Sequence, residues 1–427
     1  METSRAAARP SMGEIQRRVT GVLVTQTGAD PSTLRPETDL VRDLGIDSLD
    51  LVEIFMEVEQ DLGVTLPEER QSADQFYKRA FTGPLTLRTL VELVHVRWGS
   101  GAPERRRIDP APLVDLDRAG FAQRGWDAVD SGPEVPVYEH VGSNRSGLAL
   151  HRRERDGMPC VLVPGGRATI GSSGDAAGDD ERPPHTVRLS PYLLDLELVS
   201  VTAYCRFLNS VDVADERTLR RWFLLEPGDR RQRHACVERN GADWRPRPGA
   251  AEWPMVLVSW HGARAYARWA HGLDPLDPDG PSHLPTEAQW EHAARGGGAS
   301  DWPWGDAPPA PGRLRAGRAR EAQRAGTLPL GPVHALDGEP PFELRGMLGH
   351  VWQWCADTYA PDVYAARETD AIDPDEERDT GLRAERGGSW VGPESLCRPS
   401  YRRGRAAGVR GRCLGFRCAA PAPEGIG

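Results

Sequence analysis

Ser48, in Asp43-Leu44-Gly45-Ile46-Asp47-Ser48-Leu49, is placed to carry a phosphodiester-linked arm. It opens a segment in which Leu51, Ile54, Phe55, Val58 and Leu62 recur at helical spacing, which predicts a helix with one buried face. The first turn of such a helix suits a phosphate, because its unpaired N–H groups and the positive end of its dipole face the anion. A serine ahead of an apolar helix is also an ordinary N-cap. Three coincident features favour the arm: the Asp47-Ser48-Leu49 triplet, an acidic stripe of Asp50, Glu53 and Glu57, and helical patterning on both sides. Leu49, Val52 and Met56 form a second apolar stripe that the core does not need. Flanked by the acidic residues, it predicts a docking face for partner enzymes.

Such a serine needs a small helical scaffold. Ser11-Met12-Gly13-Glu14 reads as a capping box opening a first helix through Val22, Leu23 and Val24. Thr86–Trp98, with Leu87, Leu90, Val91 and Val94 on one side, predicts the last helix of a small all-α four-helix bundle. This segment, about residues 11–98, resembles an acyl carrier protein, and Asp47-Ser48-Leu49 matches that family's attachment motif. The resemblance implies 4′-phosphopantetheine on Ser48 and a phosphopantetheinyl transferase to attach it. It also implies acyl- or aminoacyl-loading enzymes and downstream biosynthetic enzymes as partners.

A chain of 427 residues exceeds one usual domain, so the carrier is only the first unit. The reading is a carrier over 1–98, a linker over 99–135 and a larger domain over 136–427. Gly99-Ser100-Gly101-Ala102-Pro103 and the run Arg105-Arg106-Arg107 mark the linker. A flexible chain of that length spans about 30 Å, enough for an arm to visit a neighbouring domain. A net charge of −10 argues against nucleic acid and anionic membranes as partners. Met1–Pro10 has no apolar signal-like core and no stretch reaches the length of a membrane span, so a cytoplasmic protein is expected. Seven scattered cysteines do not make a secreted disulfide framework.

Beyond residue 135 the patterning changes. Val161–Gly171 predicts two short strands paired as a hairpin across Pro164-Gly165. Helices are expected near Val201, with Tyr204, Phe207 and Leu208 on one face, and after Ser259, with Ala263, Tyr266, Ala267 and Ala270. A third begins at the capping box Thr286/Gln289 and ends at Arg295-Gly296. Short Gly- and Trp-rich motifs dominate the rest and predict much irregular structure.

Taken in order, Val163-Pro164-Gly165-Gly166, Leu284–Glu291, Trp304-Gly305-Asp306, Gly349-His350-Val351-Trp352-Gln353-Trp354, Arg386-Gly387-Gly388-Ser389-Trp390 and Leu414-Gly415-Phe416-Arg417 resemble the formylglycine-generating (sulfatase-modifying factor) family. The resemblance covers roughly residues 158–420 and implies an α+β, C-type-lectin-like domain. Copper-dependent members place two cysteines after Gly-Gly-Ser, where paired thiolates bind soft Cu(I). Here Cys397 matches the second and Gly392 stands at the first, so a two-thiolate copper site is not expected. Cys413, Cys418 and His350 are the candidates for a replacement ligand. Relatives read Gly-Asn-Val-Trp-Glu-Trp and use that region for calcium. Gln353 in place of the glutamate leaves a weakened calcium candidate, since an amide carbonyl still coordinates. Iron stays open, although the spacing of His185, His261, His283, His292 and His334 singles out no facial triad.

By position in the family motif, Cys397 is expected as ligand or nucleophile, Ser389 as a polar group of the site and Trp354 as a pocket wall. The leading functional reading is a biosynthetic fusion in which the second domain binds or oxidises cargo tethered to Ser48. A non-catalytic C-type-lectin-like binding module is the first alternative. Formylglycine formation on a protein cysteine is the second.

Overall fold

The computed structural model describes residues 10–27, 29, 31–40, 43, 44, 46, 54, 55, 58, 62, 85–97, 138–211, 213, 215–225, 229–310, 312–318, 328–336, 338, 339 and 341–423. Ser48 and the residues expected to dock partners, Leu49, Asp50, Val52, Glu53, Met56 and Glu57, lie outside them, as does the expected linker.

Helix α1 (Met12–Thr27) starts where the capping residues place it: the Ser11 hydroxyl accepts the Glu14 N–H at 3.2 Å. Glu14 itself turns to Arg18, 2.7 Å away and one turn on, rather than back to the cap. Helix α2 (Leu87–Arg97) buries Leu87, Leu90, Val91 and Val94. These pack with Ile15, Val19 and Leu23 of α1 and with Ile54, Phe55, Val58 and Leu62, all four helical, in one core. The face expected from periodicity is therefore the buried one wherever its residues are described.

The larger unit mixes short strands and helices. A five-stranded sheet contains β1 (Tyr138–Ser143), β2 (Ala149–Arg153), β3 (Pro159–Val163), β6 (Tyr192–Asp195) and β12 (Ala419–Pro421), in the order β1-β2-β3-β6-β12. Strand β5 (His185–Leu189) lies between β4 (Gly166–Ile170) and β8 (Ala371–Ile372) and pairs with both. The hairpin expected across Pro164-Gly165 is not formed, because β3 pairs with β2 and β6 while β4 pairs with β5. The turn packs so closely that a Cβ on Gly165 would stand 2.6 Å from the Leu189 carbonyl. The chain turns a corner there, so Val161 and Val163 meet Ala168 and Ile170 across a core instead of along a ladder.

A four-stranded sheet, in the order β10-β9-β7-β11, joins β7 (Trp352–Thr358), β9 (Leu382–Arg386), β10 (Arg402–Ala406) and β11 (Leu414–Gly415). Every residue of β7 is buried, as suits a strand covered on both faces. Three helices pack on these sheets: α3 (Val201–Ser210), α4 (Trp260–Ala270) and α5 (Glu287–Ala294). Tyr204 of α3 stacks on Tyr266 of α4 with ring centroids 5.8 Å apart. The capping box of α5 closes in both directions, Gln289 N–H to the Thr286 hydroxyl at 3.2 Å and Thr286 N–H to the Gln289 side chain at 3.0 Å. Among the described residues no helix is long and apolar enough to cross a membrane.

Candidate functional site

Strand β9 leads into Gly387-Gly388-Ser389 and then into a single helical turn, Glu394–Cys397. Gly387 and Gly388 have φ of 100° and 70°, a region that L side chains avoid. A Cβ on Gly388 would also stand 2.5 Å from the Cys397 sulfur, and one on Gly387 2.6 Å from the Met347 carbonyl. The glycine pair thus lets the loop close onto Cys397.

Cys397 has no exposed surface and packs with Trp302 and Leu314, backed by Trp304, Ala316 and Leu348. Burial, and then the Glu394 carboxylate, push its thiol up to about 12, against a smaller opposite effect of the Gly349 and Ser389 N–H groups. Cys397 is therefore a protonated thiol at neutral pH, whereas metal binding and nucleophilic attack need the thiolate. Ser389 is buried beside it, and its hydroxyl accepts the Val391 N–H at 3.3 Å. Trp354 is elsewhere. Its indole donates to the Val258 carbonyl at 3.1 Å inside the main core, and the tryptophans around Cys397 are Trp302 and Trp304. Cys413 and Cys418 also belong to the main core, away from the Cys397 cluster. All seven cysteines are buried and none forms a disulfide.

Gln353 is wholly buried in β7 with every hydrogen-bonding capacity used. Its carbonyl accepts Trp290 Nε1–H at 3.1 Å and Arg417 Nε–H at 2.8 Å. Its amide nitrogen donates to the Gly346 and Met347 carbonyls at 2.9 and 3.1 Å. Two backbone oxygens that a cation would attract are thereby bound to an N–H donor.

A cavity of about 600 Å³ adjoins this region, lined in part by Trp304, Arg313, Arg315, Arg318, Met347 and His350. Leu314 both lines it and packs on Cys397. The sequence reading missed this cavity and treated His350 as a departure from a calcium motif and as a candidate replacement ligand. The available signal was three arginines within six residues, Arg313 to Arg318, beside Trp-Gly motifs.

A family model described as a sulfatase-modifying factor enzyme 1-like domain matches residues 148–422. The chain belongs to the sulfatase-modifying factor family. A second model, for a phosphopantetheine attachment site, matches residues 17–72, which contain Ser48, and implies 4′-phosphopantetheine and a transferase that attaches it. A formylglycine-generating enzyme of Streptomyces coelicolor is 33% identical over 300 residues, covering 62% of this chain and 90% of that protein. An inactive C-alpha-formylglycine-generating enzyme 2 of Mus musculus is 28% identical over 61% of this chain and 85% of its own length. PvdO from Pseudomonas aeruginosa aligns as a structure with a TM-score of 0.46 at 21% identity, over 64% of this chain and 98% of that one.

The family's copper site does not fit these residues. Gly392 offers no side chain, which leaves Cys397 as a lone thiol, and among the described residues no group of three or more His, Cys, Asp or Glu side chains is placed to hold a metal ion. In competition with a Cu(I) chelator the wild-type chain is expected to lose. Gly392→Cys, which restores the first cysteine of the family motif, is expected to bind at least about 100-fold tighter, since even outer-shell partners of metal sites are worth 10–100-fold. Equal affinity of the two chains would contradict the account.

The family's calcium does not fit at Gln353 either, because its amide nitrogen already bonds both carbonyls. Thermal unfolding of the wild type is expected to be the same in calcium and in chelator. Gln353→Glu, which points a carboxylate oxygen at the same carbonyls, is expected to cost roughly 1–3 kcal/mol in chelator. A wild-type melting temperature that falls on chelation, with a smaller fall in Gln353→Ala, would contradict the account.

Proposed function

We propose that this chain is a biosynthetic carrier whose sulfatase-modifying-factor domain receives the acyl or aminoacyl cargo held on Ser48. In this reading the N-terminal unit is a four-helix carrier bundle and the C-terminal unit a C-type-lectin-like receiver. The observation that carries the reading is the presence, in one polypeptide, of a phosphopantetheine attachment site and a family domain with a cavity one side-chain layer from the family's motif cysteine. Tethering sets an effective cargo concentration of about millimolar, so a modest pocket is filled without a tight one being needed.

Binding alone is the second reading, favoured by Gly392, which leaves Cys397 without the second thiolate of the family's copper site. The test is a photo-reactive acyl group loaded on Ser48 of the full chain. Crosslinks into residues 148–422 are expected, and label confined to the carrier would overturn the proposal. Oxygen uptake by the loaded chain above that of Ser48→Ala would establish that the domain also oxidises the cargo; none would leave it a binding module.

A further inference from the structure

The short helix Glu216–Trp222 is held by its ends and its inner side, which frees its outer side for another task. Leu219 and Trp222 are buried in the main core. The Asp215 carboxylate caps the start, accepting the Arg217 and Thr218 N–H groups at 3.1 Å each. At the other end the Arg221 carbonyl accepts the Ser259 hydroxyl at 2.6 Å and the Trp222 carbonyl accepts the Ser259 N–H at 2.8 Å. On the outer side Arg220 pairs with Glu216 at 2.5 Å, and Arg410 donates to the Arg220 and Leu224 carbonyls at 2.5 and 2.7 Å. Arg217 and Arg221 are both exposed.

Arg221 donates to His261 Nδ1 at 3.3 Å. Burial, and then the charges of Arg221, Arg383 and Arg264, lower the His261 ring to about 4, so this partner is neutral and cancels none of the Arg221 charge. Asp215, the acidic neighbour of Arg217, is already spent on the helix cap. Arg217 and Arg221 are four positions apart, the spacing that sets two side chains one turn apart on the same side of a helix. The acidic stripe of the carrier has the same period, with Glu53 and Glu57 four apart in a segment patterned as a helix. Two such helices laid side by side bring both carboxylates to both guanidinium groups in one register.

We propose that the carrier of this chain docks on the Glu216–Trp222 helix of its own sulfatase-modifying-factor domain, with Glu53 and Glu57 against Arg217 and Arg221. The proposal rests on the reading that this domain receives arm-borne cargo, and it names the surface on which the carrier stands to deliver it. Exposed ion pairs are individually weak. A flexible tether of the length of residues 98–137 spans on the order of 30 Å and sets an effective concentration of about millimolar, at which a weak contact is populated. Weak docking also suits a carrier that must leave to meet the enzymes that load it.

The test uses the full Ser48→Ala chain, which carries no arm, with Met56 replaced by the photo-crosslinker p-benzoylphenylalanine. Crosslinks to residues 215–225 are expected, at a yield that is independent of protein concentration and falls as salt rises. Arg217→Glu combined with Arg221→Glu should cut that yield at least ten-fold. Adding Glu53→Arg and Glu57→Arg should restore it, which a misfolded domain would not allow. Crosslinks that map to another surface, that survive reversal of both arginines, or that appear only at high protein concentration, as a second copy would give, overturn the proposal. A photo-reactive acyl group on Ser48 separates docking from delivery. Its crosslinks into the domain, if they persist with both arginines reversed, would refute this docking surface and leave delivery intact, whereas docking without them would refute delivery alone.

Discussion

Incubated with coenzyme A and a broad-specificity phosphopantetheinyl transferase, the wild-type chain should gain one arm by intact-mass measurement, and Ser48→Ala none. The effect is all or none because the hydroxyl of Ser48 is the atom that forms the phosphodiester. The Asp47-Ser48-Leu49 triplet and the attachment-site match over residues 17–72 carry the expectation. A wild type whose mass does not change would remove the carrier function altogether. The acidic stripe gives a graded companion. Reversing charge at Glu53 and Glu57 should slow arm transfer by about ten-fold or more at low salt, an advantage of the wild type that fades as salt rises. Unchanged rates at low salt would reduce the stripe to a solvated face.

Arg386→Met should unfold the C-terminal domain at a markedly lower temperature. Arg386 is wholly buried, donates to the Glu291 carboxylate and to the Ser400 and Tyr401 carbonyls at 3.0 and 3.2 Å, and lies 3.7 Å from Glu287. Glu287 is gripped in turn by Arg402, and Glu291 by Arg295 at 2.8 Å and by the Gly171 N–H at 2.8 Å. Burial pushes both carboxyl groups upward, but the charges of Arg402 and Arg386 at Glu287, and of Arg386 and Arg295 at Glu291, outweigh it and hold both below the usual range. Removing one charge from such a buried network strands the others, which costs about 3–5 kcal/mol. For a domain of this size that is a fall of about 5–9 °C in Tm. Arg386→Lys should rescue little, since a point charge cannot reproduce the fork. A loss within a degree or two would mean that the network contributes no net stability.

The same pairs set an acid limit. Because the folded carboxyl groups are held below their unfolded values, their stabilisation is complete above about pH 4.5 and is lost as pH falls through the folded values. Denaturant midpoints should therefore drop on the acid side. Arg386→Met should flatten that drop.

Local order was legible in the sequence because its signals are short-range. Helix starts at Ser11 and Thr286 follow from side chains reaching their own backbone three residues on, and the buried faces of α2 and α4 follow from apolar spacing. Gly387-Gly388 and the missing sulfur at Gly392 were equally visible, since a ligand atom is either in the side chain or absent. The sequence also held Glu287, Glu291, Arg386 and Arg402, but not their meeting. Those residues are up to 115 positions apart, and only the packing of α5 on β9 and β10 joins them. The same limit hid three other features. Pro164-Gly165 turns a corner between sheets because of the Leu189 carbonyl beside it, not because of its own turn chemistry. Trp354 was drawn away from Cys397 by a carbonyl at Val258, 96 residues earlier. Gln353 changed from a candidate ligand into a donor because the backbone at Gly346 and Met347 places two oxygens at its amide. Residue types determine which groups are available, but a hydrogen bond or a Coulomb interaction depends on distance in space, which the fold alone sets.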